Sequence, residues 1–307
     1  MMKSSIDHIP PRKQRELARV LEILHEEFED ALGEGTADFK KRGRILKIIL
    51  FGSYARGTFV DEPHTMKGYR SDFDLLVIVN NRKLTDFAEY WYKAADRLIR
   101  DSFIETPAQF IVHSLREVNT QLKEGHYFFS DIRKEGIVLY ELDDVPLAEP
   151  KPLTAEERLR VARDSFESRT HLLRQFSEGA TFHISRGNRD LAAFDLHQTI
   201  EQAYTCVLLT LTNYAPPSHN LKFLRSLAEE QDLRLVEAFP RDHHRERAWF
   251  NTINEAYVKA RYSKHFEISE EALVWLGERT AHLLERVKIV CDEHIETLER
   301  DVVPGKG

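Results

Sequence analysis

Hydrophobic and polar positions along the chain change their spacing near residue 150. Before that point, short β-branched runs alternate with segments of helical period. This pattern predicts strands over 44–51 (RILKIILF), 71–80, 109–113 and 137–140, and helices that begin at Pro11, after Gly52-Ser53, at residue 85 and after Ser114. Strands that alternate with helices favour an α/β domain with a mixed sheet.

Beyond a stretch with three prolines over 142–153, nearly every segment has helical period. The apolar positions from Ala192 to Leu211 predict one long buried helix, and further helices are expected over 219–230, 244–262 and 269–299. We therefore expect a first domain over 1–141, a linker over 142–153 and an all-α helical bundle over 154–307.

Composition narrows the class of protein. The 307 residues carry a formal net charge of −7, and neither half is basic, which argues against duplex DNA binding by broad phosphate neutralisation. The two cysteines, Cys206 and Cys291, stand in apolar helical patterns and are expected in the core. No apolar run reaches the roughly 18 residues of a membrane span, so we expect a cytoplasmic protein without a membrane partner.

Two carboxylates stand at the start of the second predicted strand. Asp72 and Asp74 are two positions apart, so in a strand they share one face at about 6–7 Å, a separation that suits Mg²⁺ or Mn²⁺. The turn at Gly52-Ser53 permits a positive φ, and the helix that follows offers backbone amides to phosphate oxygens. Arg56 lies one turn further along and is a candidate to contact the same phosphates.

At these residues the sequence resembles the nucleotidyltransferase superfamily of DNA polymerase beta type, above all its minimal members and the aminoglycoside adenylyltransferases. The match is Gly52-Ser53, a spacer, and then Asp72-x-Asp74. The resemblance implies transfer of a nucleoside monophosphate, AMP from ATP, to a hydroxyl acceptor on a small molecule, a protein or RNA. It assigns Asp72 and Asp74 to the catalytic metal, and Gly52, Ser53 and Arg56 to the nucleotide.

The chain departs from this family in two places. The spacer over 58–70 is long and is either part of an acceptor site or an inert insertion. The neighbouring strand carries Gln109 where the family places a third carboxylate, and a neutral amide cannot act as a base. Glu105 and His113 are the alternatives for that role. A catalytically weak, nucleotide-sensing module therefore stays open as a further interpretation.

The second half resembles the HEPN family of helical bundles. The resemblance rests on the motifs Ala192-Ala193-Phe194-x-Leu196-His197-Gln198-x-x-Glu201, Ser218-His219-x-Leu221 and Ala260-Arg261-Tyr262-Ser263. It implies an accessory domain, and because HEPN bundles often pair, a possible homodimer through this domain. His197 and Gln198 either face a ligand or belong to the core.

Many HEPN proteins are ribonucleases with a paired arginine and histidine, and the nearest candidates are Arg261 and His265. Four positions apart on one helix, they would share a face. A ribonuclease toxin restrained by its fused nucleotidyltransferase domain, as in toxin–antitoxin systems, is therefore the alternative function.

Overall fold

A four-stranded mixed sheet organises the first half of the chain. The computed structural model describes residues 2–33, 37–60, 71–143, 145–263 and 265–302. The strands are β1 (Ile45–Phe51), β2 (Phe73–Val79), β3 (Ala108–Ser114) and β4 (Ile137–Glu141). Their order across the sheet is β3-β2-β1-β4, with β1 antiparallel to β2 and β4, and β2 parallel to β3. The predicted mixed sheet is confirmed.

Both faces of this sheet are covered, which explains why β1 and β2 are apolar apart from Lys47 and Asp74 and why all their residues are buried. One face shares a core with α1 (Pro11–Leu32) and α5 (Tyr92–Arg100). On the other face, the ring of Phe51 meets Phe128 of α7 (Tyr127–Glu135) edge-on, with ring centroids 5.3 Å apart.

The remaining helices of this half are short and begin at recognisable signals. The side chains of Ser114 and Glu117 form a capping box where a helix was predicted to begin, and α1 ends at Gly33, whose φ is 48°. These shorter helices are α2 (Asp38–Lys41), α3 (Gly52–Arg56), α4 (Phe87–Tyr90) and α6 (Leu115–Lys123).

The single helix expected over 85–100 is wrong. A 3₁₀ turn (Arg82–Thr85) precedes α4, and the chain breaks at Trp91 before α5. The fully buried Trp91 stacks on Phe28, and its indole nitrogen donates to the carbonyl of Leu84 at 2.7 Å. Because apolar spacing continues across the break, the sequence pattern alone does not reveal it.

The second half is helix-rich, as predicted. Its helices are α8 (Ala155–Ser185), α9 (Arg189–Thr212), α10 (Leu221–Gln231), α11 (His244–Tyr262) and α12 (Glu270–Val302). A capping box of Thr154 and Glu157 opens α8. Helix α9 is central and packs against α8, α10, α11 and α12. It ends where Asn213 adopts φ 56°, three residues before Pro216.

Contacts divide the described residues into two compact units, one up to Pro152 and one from Leu153. Cys206 and Cys291 are both buried in the second unit, as expected. None of the helices in the described ranges is long and apolar enough to cross a membrane.

Candidate functional site

The register of β1 and β2 brings the two halves of the sequence motif together. Phe51, the last residue of β1, lies directly opposite Asp74. Opposed residues in an antiparallel pair have Cα atoms about 5 Å apart. The turn at Gly52 and Ser53 therefore starts beside Asp74, although some twenty positions separate them in the sequence.

The turn itself is built around a backbone conformation that favours glycine. Gly52 has φ 72°, and Gly57, at the end of α3, has φ 75°. Tyr54 anchors this short helix, because its buried ring stacks on Phe59 with centroids 4.4 Å apart. His8 also holds it, since its Nε2 donates to the carbonyl of Tyr54 at 2.8 Å. The first amides of α3 thus keep a fixed position at the end of β1.

The two aspartates differ in their surroundings. Asp74 lies within β2 and is only 1 % exposed, whereas Asp72 precedes the strand and is partly exposed. The chain before them is held in place: Ser71 exchanges two hydrogen bonds with Val60, at 2.9 and 3.0 Å. Asp74 lies on the face of the sheet that also carries Phe51, and the spacing of two residues predicts the same face for Asp72.

Gln109 lies beside Asp74. The parallel pairing of β2 and β3 sets these two residues opposite each other. Within the described residues, no group of three histidine, cysteine or acidic side chains is arranged to hold a metal ion. Two carboxylates with oxygen donors from substrate phosphates are a common ligand set for Mg²⁺. The residues present therefore fit a metal that the nucleotide helps to coordinate.

Glu105 and His113 have other partners. Glu105 precedes β3 and forms an ion pair with Arg12 of α1. His113 lies four positions beyond Gln109 on β3, about 13 Å along the strand. His113, whose Nδ1 lies 3.9 Å from Oε2 of Glu117, and hydrogen bonds from Ser114 lower the pKa of Glu117 to about 2. The structure thus brings neither residue as close to Asp74 as Gln109.

Arg56 lies beside acidic residues of α7, a helix for which the sequence pattern gave no expectation. Its guanidinium is 4.0 Å from the carboxylate of Glu135. Burial raises the pKa of Asp131, one turn earlier in α7, and the charge of Glu135 adds to this while Lys134 and Arg56 oppose it. Two carboxylates near Arg56 were therefore missed, and only the packing of α7 reveals them.

The pair Arg261 and His265 does not share a helix. Helix α11 ends at Tyr262, and His265 lies in the turn that follows, so the expectation that both lie on one helical face is wrong. Arg261 instead stacks over Tyr257 and Phe194, with distances of 4.3 and 4.9 Å to the ring centroids.

Comparisons with known proteins agree with this geometry. Residues 36–108 match the family model of the nucleotidyltransferase domain, and the matched segment contains β1, the Gly52 turn and β2. A protein of Methanocaldococcus jannaschii, provisionally named a protein adenylyltransferase, is 36% identical over 101 residues. That alignment covers 84% of the relative and 33% of this chain, so most of the chain lies outside it.

Proposed function

Because the chain belongs to the nucleotidyltransferase family, we propose that it transfers AMP from ATP to an acceptor hydroxyl and releases pyrophosphate, with Mg²⁺ or Mn²⁺ bound. One observation carries this proposal: β1 and β2 are paired so that the turn after Phe51 lies beside Asp74. A phosphate-binding turn and a pair of metal-binding carboxylates at one place suit reaction at the α-phosphate of a nucleotide.

Each residue of the motif then has a role. The amides of Gly52 and Ser53 and the hydroxyl of Ser53 bind triphosphate oxygens, and Arg56 adds a charged contact. Asp72 and Asp74 hold the metal ion. When bound, this ion neutralises charge on the α-phosphate and on the departing pyrophosphate.

A hydroxyl on a protein is the first acceptor to test. The support is the name of the relative, which describes that protein as an adenylyltransferase of proteins. A small-molecule alcohol and an RNA end remain the alternatives. Labelled product separated by size distinguishes the three classes.

Gln109 favours a second candidate, a nucleotide-sensing domain with slow or no transfer. An amide beside Asp74 cannot take the proton of an acceptor hydroxyl and is a weaker metal ligand than a carboxylate. Saturable ATP binding without label transfer to any extract component would favour this candidate over the transferase.

For residues 154–307 we propose a HEPN-type accessory bundle, joined to the first domain by residues 142–153. The support is the motif Gln198-x-x-Glu201 on the central helix α9, followed by His219 before α10. The same proposal includes a homodimer through this bundle and a cytoplasmic location. The alternative is a ribonuclease that the first domain restrains.

The test of the main proposal is transfer of label from α-labelled ATP into a cell extract. We expect the double substitution Asp72→Asn with Asp74→Asn to abolish metal-dependent labelling. Asp96→Asn is the matched control, because Asp96 lies on α5, where its partner is Arg100. Labelling that survives in the double variant would exclude the assigned site.

A further inference from the structure

Arg56, at the edge of the proposed nucleotide site, has an acidic neighbour that the proposed transfer does not use. Arg56 is the last residue of α3, four positions after Gly52, so it lies about one helical turn from the amides assigned to phosphate. Its guanidinium is 4.0 Å from the carboxylate of Glu135, the last residue of α7. The two side chains are 36% and 35% exposed, so a ligand in solution can reach the pair.

The backbone on both sides of this ion pair is held in place. Gly57 ends α3 with φ 75°, a conformation that favours glycine. Gly136, directly after α7, packs so closely on β1 that a Cβ there would be 2.8 Å from Cγ2 of Ile49. Because the ends of both helices are fixed, the arginine can change its partner by side-chain rotation alone.

Glu135 does not stabilise the helix to which it belongs. The carbonyl groups at the end of a helix carry partial negative charge, which favours cations such as Arg133 and Lys134 in the last turn of α7 and disfavours a carboxylate. Asp131, one turn earlier, has its pKa raised by burial and then by the charge of Glu135, so these two carboxylates also repel each other. The charge of Glu135 therefore gains from a partner outside α7, and Arg56 is such a partner.

Helix α7 lies over the face of the sheet that carries Asp74. Phe51 is opposite Asp74 in the strand pair, and its ring meets Phe128 of α7 with centroids 5.3 Å apart. Glu135 follows Phe128 by seven positions, which is about two helical turns, so the two residues lie on the same side of α7. Glu135 therefore flanks the proposed nucleotide site.

The phosphates of a nucleotide and the carboxylate of Glu135 would compete for one guanidinium. Arginine forms charged hydrogen bonds with phosphates and carboxylates alike. A partly exposed ion pair is weak, so a triphosphate can displace Glu135, but the displacement lowers the affinity by the strength of the pair. Pyrophosphate bound to the same arginine would meet the same competition. The pair therefore opposes tight binding of substrate and product without preventing it.

We propose that Glu135 is a positioning residue for Arg56 that competes with the phosphates and thereby promotes the release of pyrophosphate. Before the nucleotide binds, Glu135 holds the guanidinium; Arg56 then contacts the phosphates, and it returns to Glu135 when the product leaves. This inference rests on the proposed function, because it concerns the arginine assigned to the triphosphate.

The experiment is isothermal titration calorimetry of the full chain in the presence of Mg²⁺, with a non-hydrolysable ATP analogue and with pyrophosphate. We expect Glu135→Gln to bind both ligands about two- to fivefold more tightly, as the loss of a competing, partly exposed ion pair implies. Damage to the site would weaken binding, so the sign of the change separates competition from a merely structural role. In steady-state transfer, the same variant should have a lower KM for ATP and stronger inhibition by pyrophosphate.

A double-mutant cycle shows whether the effect passes through Arg56. Arg56→Gln should weaken binding of both ligands about tenfold, as expected for the loss of one charged hydrogen bond. Adding Glu135→Gln to this variant should change the affinity by less than about twofold. Direct repulsion between Glu135 and the phosphates would instead give the same tightening with and without Arg56. Glu149→Gln is the matched control, because Glu149 is an exposed carboxylate that pairs with Arg133 of α7.

Unchanged or weaker binding by Glu135→Gln would overturn the proposal, as would equal tightening with and without Arg56. An affinity that Arg56→Gln leaves unchanged would remove Arg56 from the nucleotide site and overturn the inference as well. None of these results excludes the transferase, whose test is label incorporation. Failure of the unmodified chain to bind the ATP analogue would instead refute the proposed function, and this inference with it.

Discussion

The replacement Glu16→Gln tests how α1 holds the segment before β3 in position. Glu16 lies on α1 with 1% of its side chain exposed, and its Oε2 accepts from the backbone nitrogens of Thr106 at 2.8 Å and Glu105 at 3.2 Å. The carbonyl of the next residue, Pro107, accepts from the nitrogen of Phe73 at 2.8 Å. This buried carboxylate therefore positions the chain that pairs with the residue between the two aspartates.

The local stability that Glu16→Gln removes can be worked out from these contacts. Hydrogen bonds to charged groups contribute about 1.5–3 kcal/mol each, against about 0.5–1.5 kcal/mol for neutral ones, so two such bonds lose about 2 kcal/mol. Lys13, whose buried ammonium lies 3.8 Å from Oε1 of Glu16, also loses its carboxylate neighbour. Removing one partner of a buried ion pair costs about 3–5 kcal/mol in total, a range that already includes the weakened hydrogen bonds, so we expect a local loss of about 3 kcal/mol, at its lower end.

Amide hydrogen exchange followed by mass spectrometry measures this loss of local stability directly. A loss of about 3 kcal/mol corresponds to roughly a hundredfold faster exchange in the peptide that contains Thr106. Glu22→Gln is the matched control on α1, because Glu22 pairs with Arg19 at the surface. If Glu16→Gln exchanges no faster than this control, the positioning role assigned to Glu16 is wrong.

Three further predictions concern the same domain. Gln109→Glu places a carboxylate beside Asp74 and should tighten Mn²⁺ binding, which electron paramagnetic resonance measures; unchanged affinity would separate Gln109 from the metal site. Gly52→Ala forces φ 72° on a residue with a Cβ and should destabilise the domain by about 1–2 kcal/mol in urea unfolding; an unchanged midpoint would contradict the strain argument. Glu117 has its pKa lowered to about 2 by His113, so the stability it contributes is complete above the ordinary glutamate value of about 4.3 and is lost as pH falls towards 2. Glu117→Gln should therefore remove part of the acid sensitivity between those values, and identical acid profiles would refute this.

Local sequence patterns were sufficient to predict most of the strands and helices. Strand bounds followed from short apolar runs, and helix starts followed from capping residues such as Ser114 and Thr154, since these signals involve neighbours in the sequence. The break at Trp91 was missed because its cause is packing against Phe28, a contact between distant segments.

The polar residues divide in the same way, into those that a local pattern marks and those that meet only through packing of distant segments. Gly52, Ser53, Asp72 and Asp74 were predicted because each half of the motif is a short local pattern, one directly after β1 and one at the start of β2. In contrast, Tyr257 of α11 meets His219, which lies between α9 and α10, and no local pattern marks this contact. Its stacking on His219 depends on how these helices pack, which periodicity does not specify.

The spacer over 58–70 was predicted to be either part of an acceptor site or an inert insertion. Most of that spacer, residues 61–70, lies outside the described residues. Its role as an acceptor site or as an insertion stays a prediction, which deletion of the segment followed by the labelling assay would test.

The most direct measurement is a crystal structure of the chain with Mn²⁺ and a non-hydrolysable ATP analogue. The account predicts an anomalous peak between the carboxylates of Asp72 and Asp74, and triphosphate oxygens within hydrogen-bond distance of the amides of Gly52 and Ser53. A metal peak elsewhere, or a nucleotide bound away from this turn, would contradict it.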